Sequence, residues 1–175
     1  MKWVNHIAIA AATTAVFNPL LVPVAVLGST APDWLEWIPL LVGKKAIRHR
    51  TTTHYLLGWI FLMAFAGLVV DFHGILFAFA WGGLSHVLCD ALTASGVPMG
   101  WWSDRRFHIF GGRLKTGLTG EYWVSGGIIV VCVVFMFATR SYTNGFKPFF
   151  YDYAGMYHDG TIDAKEWRDN RLVLF

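Results

Sequence analysis

Long apolar stretches alternate with short polar connections over the first 140 residues of the chain. Three of these stretches, residues 55–70, 74–94 and 123–139, are almost free of charge and have the length of helices. A helix that crosses the roughly 30 Å of a bilayer core needs about 20 apolar residues, so the first of the three is a little short. The pattern predicts an all-α integral membrane bundle with three spanning helices.

A proline interrupts the apolar stretch nearest the N-terminus. Residues 7–17 and 20–28 are two helical segments, and an Asn-Pro pair at 18–19 lies between them. Proline restricts the residue before it to extended conformations, and asparagine favours turns. Each segment is too short to span, so together they form either one kinked helix or a re-entrant helical hairpin. We prefer the hairpin, because it returns His6 and Asp33 to the same membrane face.

The segment GGLSHVLCDALTASGVP, residues 82–98, places two candidate metal ligands in an apolar helix. His86 and Asp90 are four residues apart, so their side chains lie on one face, about one turn from each other. A carboxylate buried there without a partner would cost several kcal/mol or stay protonated. The pair either forms a hydrogen bond that helps to pack the helix or shares a divalent cation. Other polar residues along the chain favour the cation.

Two more histidines are expected at the same end of the bundle. If residues 55–70 and 74–94 form an antiparallel hairpin, the end of the second helix lies beside the start of the first. His49 and His54 then meet the histidine–aspartate pair at one membrane face. Residues 51–53 are threonines and are candidate N-caps for the helix that follows.

A second polar connection, residues 95–122, adds charge at this face, including Arg105, Arg106 and Glu121. Beyond residue 140 the chain becomes an aromatic and then a polar tail. We therefore divide the chain into a membrane-embedded domain that carries the site, residues 1–140, and a C-terminal tail, residues 141–175.

Composition supports a membrane protein and excludes some partners. Hydrophobic residues make up 55% of the chain and charged residues 14%, whereas average soluble domains carry about 25% charged residues. The net charge is only +3 and no nucleic-acid-binding motif is present, which argues against DNA or RNA as a partner. The N-terminus and both polar connections carry nine of the 14 Lys and Arg residues. The positive-inside rule then predicts a multi-pass inner-membrane protein whose site faces the cytoplasm.

Imidazole and carboxylate ligands in this number favour zinc, with Mn²⁺ or Fe²⁺ as alternatives. Six or seven candidates exceed the four ligands of one tetrahedral zinc, so two or more ions are expected. Two such ions activate a water molecule and clamp the oxygens of a phosphoryl group. Arg50, Arg105 and Arg106 could hold the remaining phosphate oxygens, because guanidinium matches their geometry.

The order and spacing of several blocks resemble a known family. His6, GSTAPDWLEW, HRTTTH at 49–54, GGLSHVLCDALTASGVP and TGLTGEYW are similar to the membrane-bound metal-dependent hydrolases of bacteria and archaea, the YdjM-like family. That family is grouped with zinc-dependent phospholipases C and related nucleases, which are all-helical. The resemblance implies zinc ligands at or near His6, Asp33, His49, His54, His86, Asp90 and Glu121.

One position departs from the family pattern. The family has a second aspartate two residues after the first, where this chain has Leu35. Either Glu36 substitutes for that aspartate, or one metal position is altered or lost. We therefore list Glu36 with Arg50 and Arg105 as candidate catalytic residues.

Two classes of function follow from this pattern. The first is a metal-dependent phosphoesterase that acts on a phospholipid or a lipid-linked phosphate at the bilayer surface. The second is a non-catalytic scaffold or assembly protein, an oligomer or part of a larger membrane assembly, in which a structural zinc holds the helices together. A metal transporter is disfavoured, because the candidate ligands cluster at one face and none continue across the membrane.

Overall fold

The computed structural model describes residues 1–70, 74–140, 157–158, 160 and 163–165. In this part of the chain the regular elements are α1 (Trp3–Phe17), α2 (Val22–Trp34), α3 (Ile38–Leu41), α4 (Leu56–Phe65), α5 (Ile75–Ala91), β1 (Val97–Gly100), β2 (Ser103–Phe107) and α6 (Thr119–Arg140). The predicted tail, residues 141–175, lies almost entirely outside the described residues. So does most of the turn at 71–74.

The predicted break near the N-terminus is confirmed. Helix α1 ends at Phe17, and the side chain of Asn18 accepts a hydrogen bond from the backbone N–H of Leu20 at 3.0 Å. A 3₁₀ turn, Pro19–Leu21, then leads into α2. Helices α1 and α2 pack against each other, which brings the start of α1 and the end of α2 to one end of the bundle.

The closest helix pair is α2 and α5, and two glycines make it possible. A Cβ atom at Gly82 would lie 2.1 Å from the carbonyl oxygen of Ala25. A Cβ atom at Gly28 would lie 2.1 Å from the carbonyl oxygen of Phe79. The two backbones therefore touch directly, as small residues allow in membrane helices. This contact fixes the position of the polar end of α5 against α2.

Helix lengths differ from the prediction of three spans. Helix α4 continues into a π-helical turn, Ala66–Val70, and α5 has 17 residues. Within the described residues, one helical segment, Thr119–Ala138, is long and apolar enough to cross a membrane. The apolar helices Leu56–Val69 and Ile75–Ala91 are shorter than that. Helix length therefore supports one span and leaves the other two as predictions.

The prediction of an all-α fold missed a small antiparallel sheet. Strands β1 and β2 pair from Val97 with Phe107 to Gly100 with Ser103, and a two-residue turn joins them. Val97 is fully buried in the core cluster, and Phe107 packs against the same cluster. Burial of this pair at the end of the helices explains why a glycine-rich polar segment forms strands. The other regular elements of the described residues are helices, as predicted.

Two element boundaries also differ. The threonines at 51–53 do not cap α4, because residues Thr52–His54 form a separate 3₁₀ turn and Tyr55 precedes the helix without a side-chain cap. Helix α6 begins at Thr119, four residues earlier than predicted, which places Glu121 in its first turn. The Ser125 hydroxyl, near the start of α6, donates to the side-chain oxygen of Asn5, near the start of α1, at 3.1 Å.

We expect Gly82→Ala to lower the midpoint of thermal unfolding in detergent. The added methyl group would meet backbone atoms of α2, and overpacking of this kind costs about 1–3 kcal/mol. The matched control is Gly126→Ala in α6, where a Cβ atom meets nothing within 4 Å. Alanine favours helix there, so the control should melt at the same temperature or slightly higher. Equal melting of both variants would contradict the close α2–α5 contact.

Candidate metal centre

A polar cavity of about 330 Å³ opens at the end of the bundle where α1 begins and α2 and α5 end. Four of its lining residues are carboxylates or histidines near the ends of α2 and α5, and two more lie in the loop before α4. These are Asp33, Glu36, His86, Asp90, His49 and Arg50. The three carboxylates among them are buried in the protein, although the cavity itself is open to solvent.

The hydrogen bond made by His86 determines which of its ring nitrogens can bind a metal. Its Nδ1 lies 2.7 Å from the carbonyl oxygen of Ser29, and a carbonyl can only accept. Nδ1 therefore carries the proton, and in the neutral ring Nε2 has a free lone pair. That Nε2 is buried and has no hydrogen-bond partner. A backbone hydrogen bond of this kind is typical of histidines that bind metals.

The free nitrogen of His86 faces two carboxylates. It lies 3.7 Å from Oδ1 of Asp33 and 3.7 Å from Oδ2 of Asp90, too far for hydrogen bonds. Nε2 of His54 occupies an equivalent position, 3.5 Å from the same oxygen of Asp33 and 3.9 Å from that of Asp90. Two imidazole nitrogens and two carboxylate oxygens therefore lie close together.

The spacing of these four atoms suits a small cation. The four nitrogen–oxygen distances between these atoms are 3.5–3.9 Å. Zinc bonds to nitrogen and oxygen are roughly 2.0–2.2 Å long, so two ligand atoms on one tetrahedral zinc lie about 3.3–3.6 Å apart, close to these distances. Oδ1 of Asp33 and Nε2 of His54 are also buried without hydrogen-bond partners. A cation would satisfy all three unpaired atoms at once.

The potential ligands form two adjoining groups, in each of which the ligand atoms lie within 4.8 Å of one another. The first group is Asp33, Glu36, His49 and His54, and the second group is His6, His86 and Asp90. Contacts of Asp33 with His86 and of Asp90 with His54 join the two groups. The arrangement can therefore accommodate two ions, with the aspartates placed between them.

Glu36 and His49 are positioned by the loop that precedes α4. Nδ1 of His49 lies 2.9 Å from Oε2 of Glu36, and the backbone N–H of Arg50 donates to Oε1 of Glu36 at 2.9 Å. The His54 turn is held from the other side, because the Trp59 indole donates to the carbonyl oxygen of Thr53 at 2.8 Å. The structure therefore places Glu36 with the candidate ligands, where the sequence interpretation listed it as catalytic.

The rings of His6 and His86 stack with centroids 3.7 Å apart and an angle of 14° between their planes. Two protonated imidazoles would repel each other at that separation. Nε2 of His6 also lies 3.5 Å from Oδ1 of Asp90. The neutral form of His86, with its proton on Nδ1, leaves the lone pair of Nε2 available for a metal.

The electrostatic environment keeps Asp33 ionised. Burial alone would raise the pKa of its carboxyl, but the adjacent His54 ring, and the positive charges of His86, His54 and His49 when they are protonated, lower it more. The pKa of Asp33 therefore lies below its usual value, and the side chain is a carboxylate at neutral pH. A carboxylate is the form that binds a cation.

Arg50 adds a positive charge at the edge of the two groups. Its Nη2 donates to Oδ1 of Asp90 at 2.9 Å, and its Nη1 donates to the hydroxyl of Thr93 at 3.2 Å. The N-terminal amine of Met1 also forms an ion pair with Asp90. Arg50 has a positive φ of 58°, an uncommon backbone conformation for a residue with a side chain. Its side chain lines the cavity.

Two candidate residues do not join the groups. Glu121 is fully buried, but its carboxylate accepts hydrogen bonds from the N–H of Lys2 at 3.1 Å, the amide of Asn5 at 3.0 Å and the N–H of Gly117 at 2.8 Å. Glu121 thus holds the start of α1 against α6. Arg105 is exposed on β2 and does not line the cavity. Its neighbour Arg106 is exposed too, and donates to the carbonyl oxygen of Arg50 at 2.8 Å.

Two further residues, Thr93 and Ser29, orient the site and were not predicted from the sequence. Thr93 accepts from Arg50, and it lies three residues after Asp90, one turn further along the chain. That spacing was the available signal. The carbonyl oxygen of Ser29 fixes His86, but every residue has a carbonyl, so no sequence signal could have identified it.

The family model for the YdjM inner membrane protein matches residues 1–146 of the chain. This range contains every residue of the two groups. No curated protein and no solved structure gives a significant match.

We expect zinc to stabilise the metal-free protein. Free zinc at 100 times its Kd would add about 2.7 kcal/mol to the free energy of unfolding, measured by thermal melting in detergent.

His86→Ala and His54→Ala should lose bound zinc, measured by elemental mass spectrometry. His108→Ala is the matched control, since this exposed histidine lies outside both groups. Wild-type zinc content in His86→Ala would contradict the assignment.

Glu121→Gln should separate a ligand from a structural residue. Replacing one acceptor oxygen with an amide leaves a buried N–H donor without an acceptor, which costs about 1–3 kcal/mol of stability. We expect a lower melting midpoint with unchanged zinc content. A loss of zinc at unchanged melting would instead make Glu121 a ligand.

Proposed function

Since the chain belongs to the YdjM inner membrane protein family, we propose that it is a membrane-embedded, metal-dependent hydrolase that cleaves a phosphoester at the bilayer surface. The observation that supports this proposal is the convergence of buried, unpaired imidazole and carboxylate atoms beside an open cavity. A closed structural zinc site has four protein ligands and no open position, whereas a catalytic site keeps one open.

In this proposal the two groups hold two zinc ions. The ligands are His6, Asp33, Glu36, His49, His54, His86 and Asp90. Zinc supplies two kinds of chemistry, since it lowers the pKa of a coordinated water and polarises a phosphoryl oxygen. Glu36 takes the place of the family aspartate that Leu35 replaces, because it is the next carboxylate along the chain and contacts His49.

The protein's own residues complete the site. Arg50 lines the cavity with a guanidinium held by Asp90 and Thr93, in a position to bind the non-bridging oxygens of a phosphate. Arg105 is left out of the catalytic set because its side chain is exposed away from the cavity lining.

The membrane arrangement is also part of the proposal. Residues 119–138 cross the bilayer, the α1–α2 hairpin is re-entrant, and α4 and α5 complete a multi-pass fold. The site faces the cytoplasm, where the positive-inside rule puts the more basic side. A phospholipid or a lipid-linked phosphate is the expected substrate, because its phosphoester lies at the level of the membrane surface.

A structural zinc site in a scaffold protein is the second candidate. The observation that favours it is that Oδ1 of Asp90 is already occupied by Arg50 and by the amine of Met1. One saturated zinc per chain and no hydrolysis of any substrate would support the scaffold. Two zinc ions per chain would support the hydrolase.

The test is hydrolysis of a panel of phospholipids and lipid-linked phosphates by the purified protein, with zinc content measured on every sample. We expect His86→Ala to lose zinc and activity together. Arg50→Lys should retain zinc and lose about 100-fold in turnover, as expected when a donor to the transition state is misplaced. His108→Ala is again the matched control and should retain both. Activity of His86→Ala equal to that of the wild type would overturn the proposal.

A further inference from the structure

Two protrusions beside the cavity carry the same combination of side chains. The first, which we call the α3 loop, is residues 38–45 and follows directly on Trp37 at the cavity wall. The second, which we call the hairpin tip, is residues 100–106. It comprises the last residue of β1, the two-residue turn and the first four residues of β2. In each, large apolar side chains point to the outside and two consecutive cations follow.

The apolar side chains are among the most exposed in the described chain. Leu41 is 85% exposed in the α3 loop, and its neighbours Leu40 and Val42 are exposed as well. Trp101 is 81% exposed at the hairpin tip, and Trp102 packs edge-on against it with ring centroids 4.8 Å apart. Exposed apolar groups of this size mark a contact surface. Tryptophan in particular prefers the interface between lipid and water.

The exposed charged side chains that the structure describes near the two protrusions are all positive. Lys44 and Lys45 follow the apolar part of the α3 loop, and Arg105 and Arg106 follow the hairpin tip. Lys2, Arg48, Arg113 and Lys115 are the other exposed charges among the described side chains of residues 1–70 and 74–138. The carboxylates described there are all buried, at Asp33, Glu36, Asp90 and Glu121. The side chain of Asp104 is not among those described.

We infer that the α3 loop and the hairpin tip insert into the headgroup region of the bilayer and bind anionic lipids. The cations complement the negative surface of a leaflet that contains anionic lipids, and the apolar side chains between them reach the acyl boundary. A soluble anion would account for the cations but not for Leu41 and Trp101.

The two protrusions are connected to the site. Arg106 donates to the carbonyl oxygen of Arg50, and the N–H of Ile47, two residues after the α3 loop, donates to the carbonyl oxygen of Glu36 at 3.0 Å. Docking of both protrusions on lipid would thus place the cavity mouth among the headgroups. The lipid contact does not depend on hydrolysis, so it can be tested with protein that has no activity.

The experiment uses the full-length protein in nanodiscs with a polarity-sensitive dye on one introduced cysteine. Trp101→Cys and Leu41→Cys report on the two protrusions, and Phe61→Cys, exposed on α4, is the matched control for an apolar position. The native cysteines, Cys89 and Cys132, are buried, and labelling of the wild type gives the blank. Dye quenching by lipids brominated near the headgroup measures insertion.

We expect at least twofold stronger quenching at positions 41 and 101 in nanodiscs with 30 mol% phosphatidylglycerol than in pure phosphatidylcholine. Added salt at about 1 M, where the Debye length is roughly 3 Å, should remove the difference. Arg105→Glu with Arg106→Glu should remove it at position 101, while quenching at position 61 stays the same throughout. Weak quenching of both protrusions in anionic nanodiscs would overturn the inference, since the surface would then face water or another protein. Equal quenching in both lipids would also overturn it, because anionic headgroups would not be recognised.

Discussion

Two carboxylates and two imidazole nitrogens face one another at one end of this helix bundle. The arrangement of the residues around them depends on how the cost of burying these groups without partners is offset. None of the contacts between the four atoms is short enough for a hydrogen bond. Burying unpaired charges and lone pairs costs several kcal/mol unless a partner compensates. Bound divalent cations would satisfy these atoms, and the other candidate ligands and Arg50 lie around them.

Contacts elsewhere in the bundle position these four atoms. Gly28 and Gly82 let α2 and α5 touch, and that contact brings the carbonyl oxygen of Ser29 against His86. Glu121 holds the start of α1, and with it His6, against α6. The Trp59 indole holds the His54 turn. His6, His54 and His86 are therefore fixed by packing or hydrogen bonds outside the two groups, as preorganised sites require.

The sequence predicts those features of the fold and the site that depend on local chemistry. The Asn18–Pro19 pair ends the first helix through its own backbone preferences, independently of the rest of the fold. The period of a helix alone places His86 and Asp90 on one face. The β-hairpin was missed because its strands depend on burial of Val97 and Phe107 against distant helices. The hydrogen bonds of Glu121 and the position of Glu36 among the ligands also depend on approach between segments far apart in the chain. Three spanning helices were predicted from apolarity, but among the residues that the structure describes one helix is long enough to cross a membrane.

The order in which the ligands occur along the chain has a consequence for biogenesis. His6, Asp33 and the loop histidines are synthesised well before His86 and Asp90, which sit at the far end of α5. A nascent chain therefore holds an incomplete and strongly hydrophilic set of groups until α5 has left the ribosome and docked on α2. If the two groups bind metal as proposed, the complete set of ligands therefore forms only after that docking.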